Sequence, residues 1–262
     1  MNDTTERAAS SRESLQRLAG PIQETSHRYA AAVFTGDLPE LAASMPSPRL
    51  HPIQVARGRG LVLFEATQAS WTRAGEPLFD VEQILVATAV SIGDSPAKPL
   101  APLGELFDDS GEASEKAGFL VLQVLVSNPV AADFFRDEVG YQGVVVADVT
   151  GGTTDRAEWF AAAVAGTSAV GLAVRNTGKS NGGSGAATLL AMRDGQVVAG
   201  RSTVGGQDQR FSMGKKSASV RIGPHPAGEL VRLLQPGRAL GGIVSSDHEA
   251  VMEALPQPLP LA

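Results

Sequence analysis

The sequence predicts a mixed α/β fold: a parallel βαβαβ core with antiparallel strands on both flanks and a β-hairpin. Three apolar runs carry this expectation. Residues 119–127 are almost continuously apolar and rich in β-branched side chains, which suits a strand buried on both faces. Residues 143–149 hold three consecutive valines. Residues 168–175 form a third run, and a stretch with helix signals separates each pair.

Between the first two runs, Asn128 can cap a helix, Pro129 fits its first position and Gly140 its C-terminal stop. Val130, Phe134 and Phe135 give that helix an apolar face. Between the second and third runs, Asp155 with Glu158 three residues on has the form of a capping box. Trp159, Phe160 and Val164 supply a face there, and Gly166 ends it. Strands joined this way are parallel with right-handed crossovers, so their C-termini open on one edge. That edge is where α/β sheets place ligands.

Four segments follow from the pattern. Residues 1–46 read as a polar helical arm, with short helices at 11–18 and 26–34 interrupted by Pro21 and Gly36. Residues 47–94 read as an antiparallel β segment, with strands around Ile53, Val55 and residues 61–64 and again at 81–90. Glu82 and Gln83 leave a helix open for part of the latter. Residues 95–118 read as a loop or linker. Residues 119–262 hold the α/β core, then a hairpin whose turn is Asp194 followed by Gly195, two residues that tolerate positive φ. Further on come an antiparallel strand at 217–222, a helix from Pro226, a strand at 240–244 and a helix capped by Asp247.

Composition narrows the function classes. The net charge is −6 with 19% charged residues, which lacks the basic stripe of a nucleic-acid binder. Cysteine is absent, so thiolate metal sites and disulfides are excluded. No run reaches membrane-spanning length and no signal-peptide pattern opens the chain, so a cytoplasmic protein is expected.

Two loops attract attention as phosphate sites. Residues 148–155 resemble the phosphate loop of the actin and Hsp70-like ATPases: a strand ending in Asp, a glycine run, threonines and a second Asp. The resemblance implies phosphate contacts from Gly151, Gly152, Thr153 and Thr154, and Mg²⁺ held by Asp148 and Asp155. Thr150 stands where that family has glycine. Residues 173–180 fit the loose P-loop pattern through Gly178, Lys179 and Ser180, although glycine and serine follow where a P-loop needs a helix. Residues 136–148 look like a segment of family-three glycoside hydrolases, which implies Asp148 as a nucleophile. Ser212 and Lys215 have the Ser-x-x-Lys spacing of some acyl-enzymes, but Gly214 disfavours the helix that chemistry needs. None of His27, His51, His225 or His248 has metal-ligand spacing.

The leading expectation is therefore a protein that binds or transforms a small anionic ligand, phosphorylated ones included, at the sheet edge formed by the 148–155 and 175–185 loops. A non-catalytic subunit that self-associates as a homo-oligomer or docks on a partner, and a hydrolase using Asp148, are the alternatives.

Overall fold

The structure, a computed structural model, describes residues 20–97, 116–180 and 182–259. The expected helix at 11–18 and residues 98–115 of the linker lie outside the described residues.

Strands dominate. β1 (Ile22–Asp37) ends at the short helix α1 (Leu38–Ala43), whose N-terminus is capped by the Asp37 side chain. Short β2 (Leu50–Pro52) and β3 (Gln54–Ala56) precede two long strands, β4 (Arg59–Arg73) and β5 (Glu76–Ile92). β6 (Ala117–Val126) leads through helix α2 (Pro129–Asp133) and a π-helical turn (Phe134–Val139) to β7 (Val144–Val146). Then β8 (Asp148–Thr153), β9 (Ala157–Val164) and β10 (Thr167–Arg175) form an antiparallel meander. After β11 (Lys179–Ser180) comes the hairpin of β12 (Gly183–Arg193) and β13 (Gln196–Gly206). β14 (Arg210–Met213), β15 (Ala218–Ile222), helix α3 (Glu229–Leu233), β16 (Ala239–Ser245), β17 (His248–Met252) and β18 (Gln257–Pro258) complete the described chain.

The large sheet closes on itself. Its neighbours run β1-β17-β13-β12-β6-β5-β4, and β4 pairs back to β1 from Ile22 opposite Arg73 to Asp37 opposite Arg59. Closure leaves this ring without exposed edges. A smaller sheet, β15-β10-β9-β8, packs against one wall. Phe160, Val170 and Leu172 of that sheet share a buried cluster with Val62, Phe64, Ile84 and Val86 of the barrel. Both faces of β4 and β5 are thereby covered, one by the small sheet and one by the barrel interior. Among the described residues no helix is long and apolar enough to cross a membrane.

The expected parallel βαβαβ core does not form; the fold is mostly β. Its first half is real: Asn128 caps the helix, Gly140 stops it at φ 90°, and β7 runs parallel to β6 with Val124 opposite Val144. The second half fails at residues 155–166. That stretch is strand β9, because alternate residues Phe160 and Ala162 are buried against the barrel, and a period of two outweighs the helix-compatible alanines. Glu158 is not the far end of a capping box; it accepts a hydrogen bond from Thr153 at 2.9 Å and pairs with Arg28 at 3.3 Å. Ala165 and Gly166, both at positive φ, are a hairpin turn rather than a helix stop. Two further helices are also corrected: residues 26–34 belong to β1, and the residues after Asp247 form β17. The 217–222 strand exists but pairs with β10. The hairpin turn at Asp194 and Gly195 forms as expected, with φ of 51° and 75°.

The β9 assignment makes a directional prediction. Phe160→Ala, at a site 1% exposed, should cost about 3–5 kcal/mol in a denaturant melt. Trp159→Ala, on the opposite face and 37% exposed, should cost about 1 kcal/mol. Equal losses would contradict the strand's facing.

Candidate active site

The alternation of β1 and β4 decides which side chains enter the barrel. On β4 the odd-numbered residues Leu63, Glu65 and Trp71 border an internal cavity, while Val62, Phe64 and Ala66 face the small sheet. On β1 the phase changes partway. Ile22 and Glu24 point inward at even numbers, but Tyr29 and Ala31 do so at odd ones. The switch is a β-bulge at His27, where Ser26 lies opposite Ala69 and Arg28 opposite Gln68. The extra residue puts Glu24 and Tyr29 on the same face. On β5, Gln83 and Leu85 lie opposite Thr67 and Glu65 and continue the inner wall.

The resulting cavity has a volume of about 740 Å³. An aromatic cluster closes one side: Trp71 and Phe135 meet edge-to-face at 5.2 Å, and Phe135 stacks on Tyr141 at 5.7 Å. The π-helical turn brings Phe135 and Tyr141 to this place. Gly183 and Gly185 at the start of β12, with Phe211 and Met213 of β14, line the same cavity.

The polar groups inside are few and connected. Tyr29 donates its hydroxyl to Glu65 Oε2 at 3.3 Å, and Ser26 donates to Glu24 Oε1 at 2.7 Å. The Tyr29 ring stacks on His248 at 3.7 Å between centroids, with planes 14° apart. His248 is held in place by its neighbour. Asp247 accepts backbone N–H groups from Gln207 and Asp208 and the Ser245 hydroxyl, tying β17 to the turn between β13 and β14. Three further atoms, Trp71 Nε1, Gln83 Oε1 and His248 Nδ1, are buried without a hydrogen-bond partner.

Burial sets the charge states. It pushes the Glu65 carboxyl up to about 8, helped by the nearby charge of Glu24 and opposed by the Tyr29 hydrogen bond. Some of the Glu65 surface is accessible, but it borders the cavity, so the group still lacks bulk solvation. Glu24 is raised by burial as well, with the Ser26 hydrogen bond pulling the other way. The Tyr29 and Tyr141 hydroxyls are raised above the ordinary tyrosine range by burial and then by the glutamates. His248 is pushed down to about 4 by burial, with Asp247 acting in the opposite direction. At neutral pH the cavity therefore holds a neutral imidazole and a carboxyl pair that keeps at least one proton. An arrangement of this kind can donate and accept protons without charging the apolar wall.

Of the two loops expected to hold a ligand, only the far end of the second, Gly183 to Gly185, reaches this cavity; Asp148, Gly151, Gly152, Thr153, Thr154, Asp155, Gly178, Lys179 and Ser180 do not line it. Asp148 is exposed at the first position of β8, and Asp155 lies in the turn past the opposite end of that strand. Among the described residues no cluster of three metal-ligating side chains occurs. The glycines of the expected phosphate loop have packing partners instead. A Cβ on Gly151 would lie 2.8 Å from the Phe160 ring, and one on Gly152 would lie 2.8 Å from the Trp159 ring. Thr153 bonds Glu158, and Thr154 Oγ1 accepts the Ala157 backbone N–H within the β8–β9 turn. Gly178 sits where a Cβ would come within 1.9 Å of the Phe211 carbonyl, as β11 pairs with β14 through Lys179 and Ser180. The two loops do approach one another, since Asn176 donates to the Thr154 carbonyl at 2.9 Å. They meet at the end of the small sheet, and nothing supports a phosphate-binding loop there.

Acidic and polar positions in an alternating strand look solvent-facing, which hides the cavity residues Glu24 and Glu65 in the sequence. One signal was available: Glu65 follows four apolar residues, 61–64, and precedes Ala66, so both faces of that strand are apolar around it.

The barrel with its flanking sheet has known counterparts. An acetoacetate decarboxylase from Legionella pneumophila superposes with a TM-score of 0.65 over 93% of this chain and 90% of its own, at 12% identity. The enduracididine biosynthesis enzyme MppR, complexed with pyruvate, gives 0.64 over 92% and 91% at 11% identity. The chain has the acetoacetate decarboxylase-like fold. An acetoacetate decarboxylase-like enzyme from Sphingomonas wittichii gives 0.54 at 12% identity. No family model and no curated protein matches the sequence.

The buried carboxyl has a measurable cost. Because the folded chain holds the Glu65 proton more tightly than the unfolded one, its stabilising contribution is complete below the ordinary carboxyl range, near 4.5, and is lost as pH rises towards about 8. Glu65→Gln should therefore match the parent's thermal stability near pH 4 and exceed it above pH 8, by on the order of 5 °C. A variant that is no more stable at high pH would contradict the burial argument.

Proposed function

We propose that this protein is an enzyme that moves protons on a small carbonyl compound held inside the barrel, with Glu65 and Glu24 as its acid–base pair. The observation that carries this reading is the placement of two carboxyls with raised proton affinity, one bonded by Tyr29, on the wall of an apolar cavity. The fold shared with acetoacetate decarboxylase and MppR adds that this scaffold serves enzymes, one of them complexed with pyruvate.

The chemistry follows from the charge states. Glu65 accepts the Tyr29 hydroxyl on Oε2, which leaves its other oxygen to carry a proton towards the substrate carbonyl oxygen. Glu24, in its carboxylate form, takes a proton from the carbon next to that carbonyl. The C–H electron pair becomes the C=C bond, the C=O π pair takes the Glu65 proton, and an enol results. Reversal returns a proton to carbon. Neutral His248, with Gln83 and Gln209 on the same wall, would orient the substrate. Imine formation on a ketone needs a lysine amine at the reacting carbon. The described residues of the cavity wall include no lysine, so acid–base chemistry is the reading the wall favours.

The test is deuterium exchange. Incubated in D₂O with a panel of ketones and followed by proton NMR, the protein should exchange the protons next to the carbonyl of at least one of them. Glu65→Gln and Glu24→Gln should each slow that exchange by about 10²–10⁴-fold. Exchange that survives in both variants, or no exchange across the panel despite binding, would overturn the proposal and leave a binding protein.

A further inference from the structure

We infer that the ligand is an uncharged, largely apolar carbonyl compound considerably larger than a three-carbon keto acid. This inference rests on the cavity being the site proposed above. Three independent features of the wall support it.

The first is charge. Among the described residues the wall contains no lysine or arginine, and its titratable groups are Glu24, Glu65, Tyr29, Tyr141 and His248. A carboxylate entering this space would leave water with no cation to meet it and two acidic side chains beside it, an arrangement that opposes binding. The imidazole offers no compensating charge, because burial keeps it neutral at physiological pH.

The second is size. A cavity of about 740 Å³ falls in the range of about 300–1,000 Å³ that encloses a drug-sized ligand. Pyruvate would leave most of the apolar wall, including Leu63, Leu85, Phe119 and Leu189, facing water. A longer hydrocarbon portion would cover it.

The third is polarity. Most wall residues are aliphatic, aromatic or glycine, and the uncharged amide and hydroxyl side chains among them are Gln83, Ser184, Ser202 and Gln209. Amides and hydroxyls both donate and accept without carrying charge, which suits a neutral ligand such as a ketone. Two apolar wall residues, Phe211 and Met213, are 45% and 83% exposed, so apolar surface continues from the cavity to the outside. Gly185 borders the cavity with open space beyond its Cα.

Calorimetry on the wild-type protein at pH 7 tests this with three stable probes: 4-oxodecanoate, its methyl ester, and methyl 4-oxopentanoate. The long ester should bind at least tenfold more tightly than the long acid. Affinity should grow by about fourfold per added methylene between the short and long esters until the cavity is filled. The inference is overturned if the acid binds as well as its ester, or if the short ester binds as well as the long one. Failure here is separable from failure of the catalytic reading. Preference for the acid, with exchange still dependent on Glu65, would remove the ligand class and keep the acid–base pair. The expected preference without exchange of any ketone would support the ligand class and remove the chemistry.

Discussion

The architecture depends on how β1 divides its two edges. One edge pairs with β4 along the full length of the strand, and the other is shared between β17 over residues 22–26 and β16 over residues 29–34. The first pairing closes the barrel. The division of the second falls at the bulge at His27, and the bulge reverses which side chains face inward. Without that extra residue Tyr29 would point away from Glu65, and Glu24 would have no neighbour on the later half of the strand. Closure thus comes from the pairing of β1 with β4, and site assembly from the one irregularity within it.

The second constraint is dielectric. Placing two glutamates on an apolar wall raises the free energy of their charged forms, and the chain lowers that penalty by keeping protons on the pair. The hydrogen bonds from Ser26 and Tyr29 moderate the shift without abolishing it. Stacking of Tyr29 on His248, and the anchoring of the neighbouring Asp247 to the backbone of residues 207 and 208, fix the opposite wall. Two nearby carboxyls that hold protons tightly inside an apolar cavity are costly for stability, which is the usual sign of a functional site.

The sequence was most legible where local signals and tertiary packing agree. The helix between Asn128 and Gly140, the valine strand after it and the turn at Asp194 and Gly195 were all readable, since capping and positive φ are local properties. Legibility ended where the deciding interaction is distant. Residues 157–164 carry alanines that accept either helix or strand, and only the barrel wall beneath Phe160 and Ala162 selects the strand. The same ambiguity covers residues 26–34, where Ala30, Ala31 and Ala32 give a helical look to a strand that packs on both faces. Gly151 and Gly152 imitated a phosphate loop because glycine is required both for backbone contact with an anion and for an aromatic ring lying across a strand. The catalytic candidates are hidden because β4 is apolar on both faces, outward against the small sheet and inward around the cavity, so Glu65 reads as one polar residue in an apolar run rather than as part of a site.

The central claim is that burial raises the proton affinity of both Glu24 and Glu65, so that Glu65 stays protonated at neutral pH. Side-chain carboxyl carbons of selectively ¹³C-labelled glutamate, followed by NMR through a pH titration, read this directly. The account predicts two resonances with midpoints above the ordinary carboxyl range, the Glu65 signal near 8. In Glu65→Gln, loss of that signal should be accompanied by a change in the Glu24 midpoint. If instead every glutamate in the folded protein titrates between about 4 and 5, as solvated carboxyls do, the buried pair does not exist and the account built on it fails.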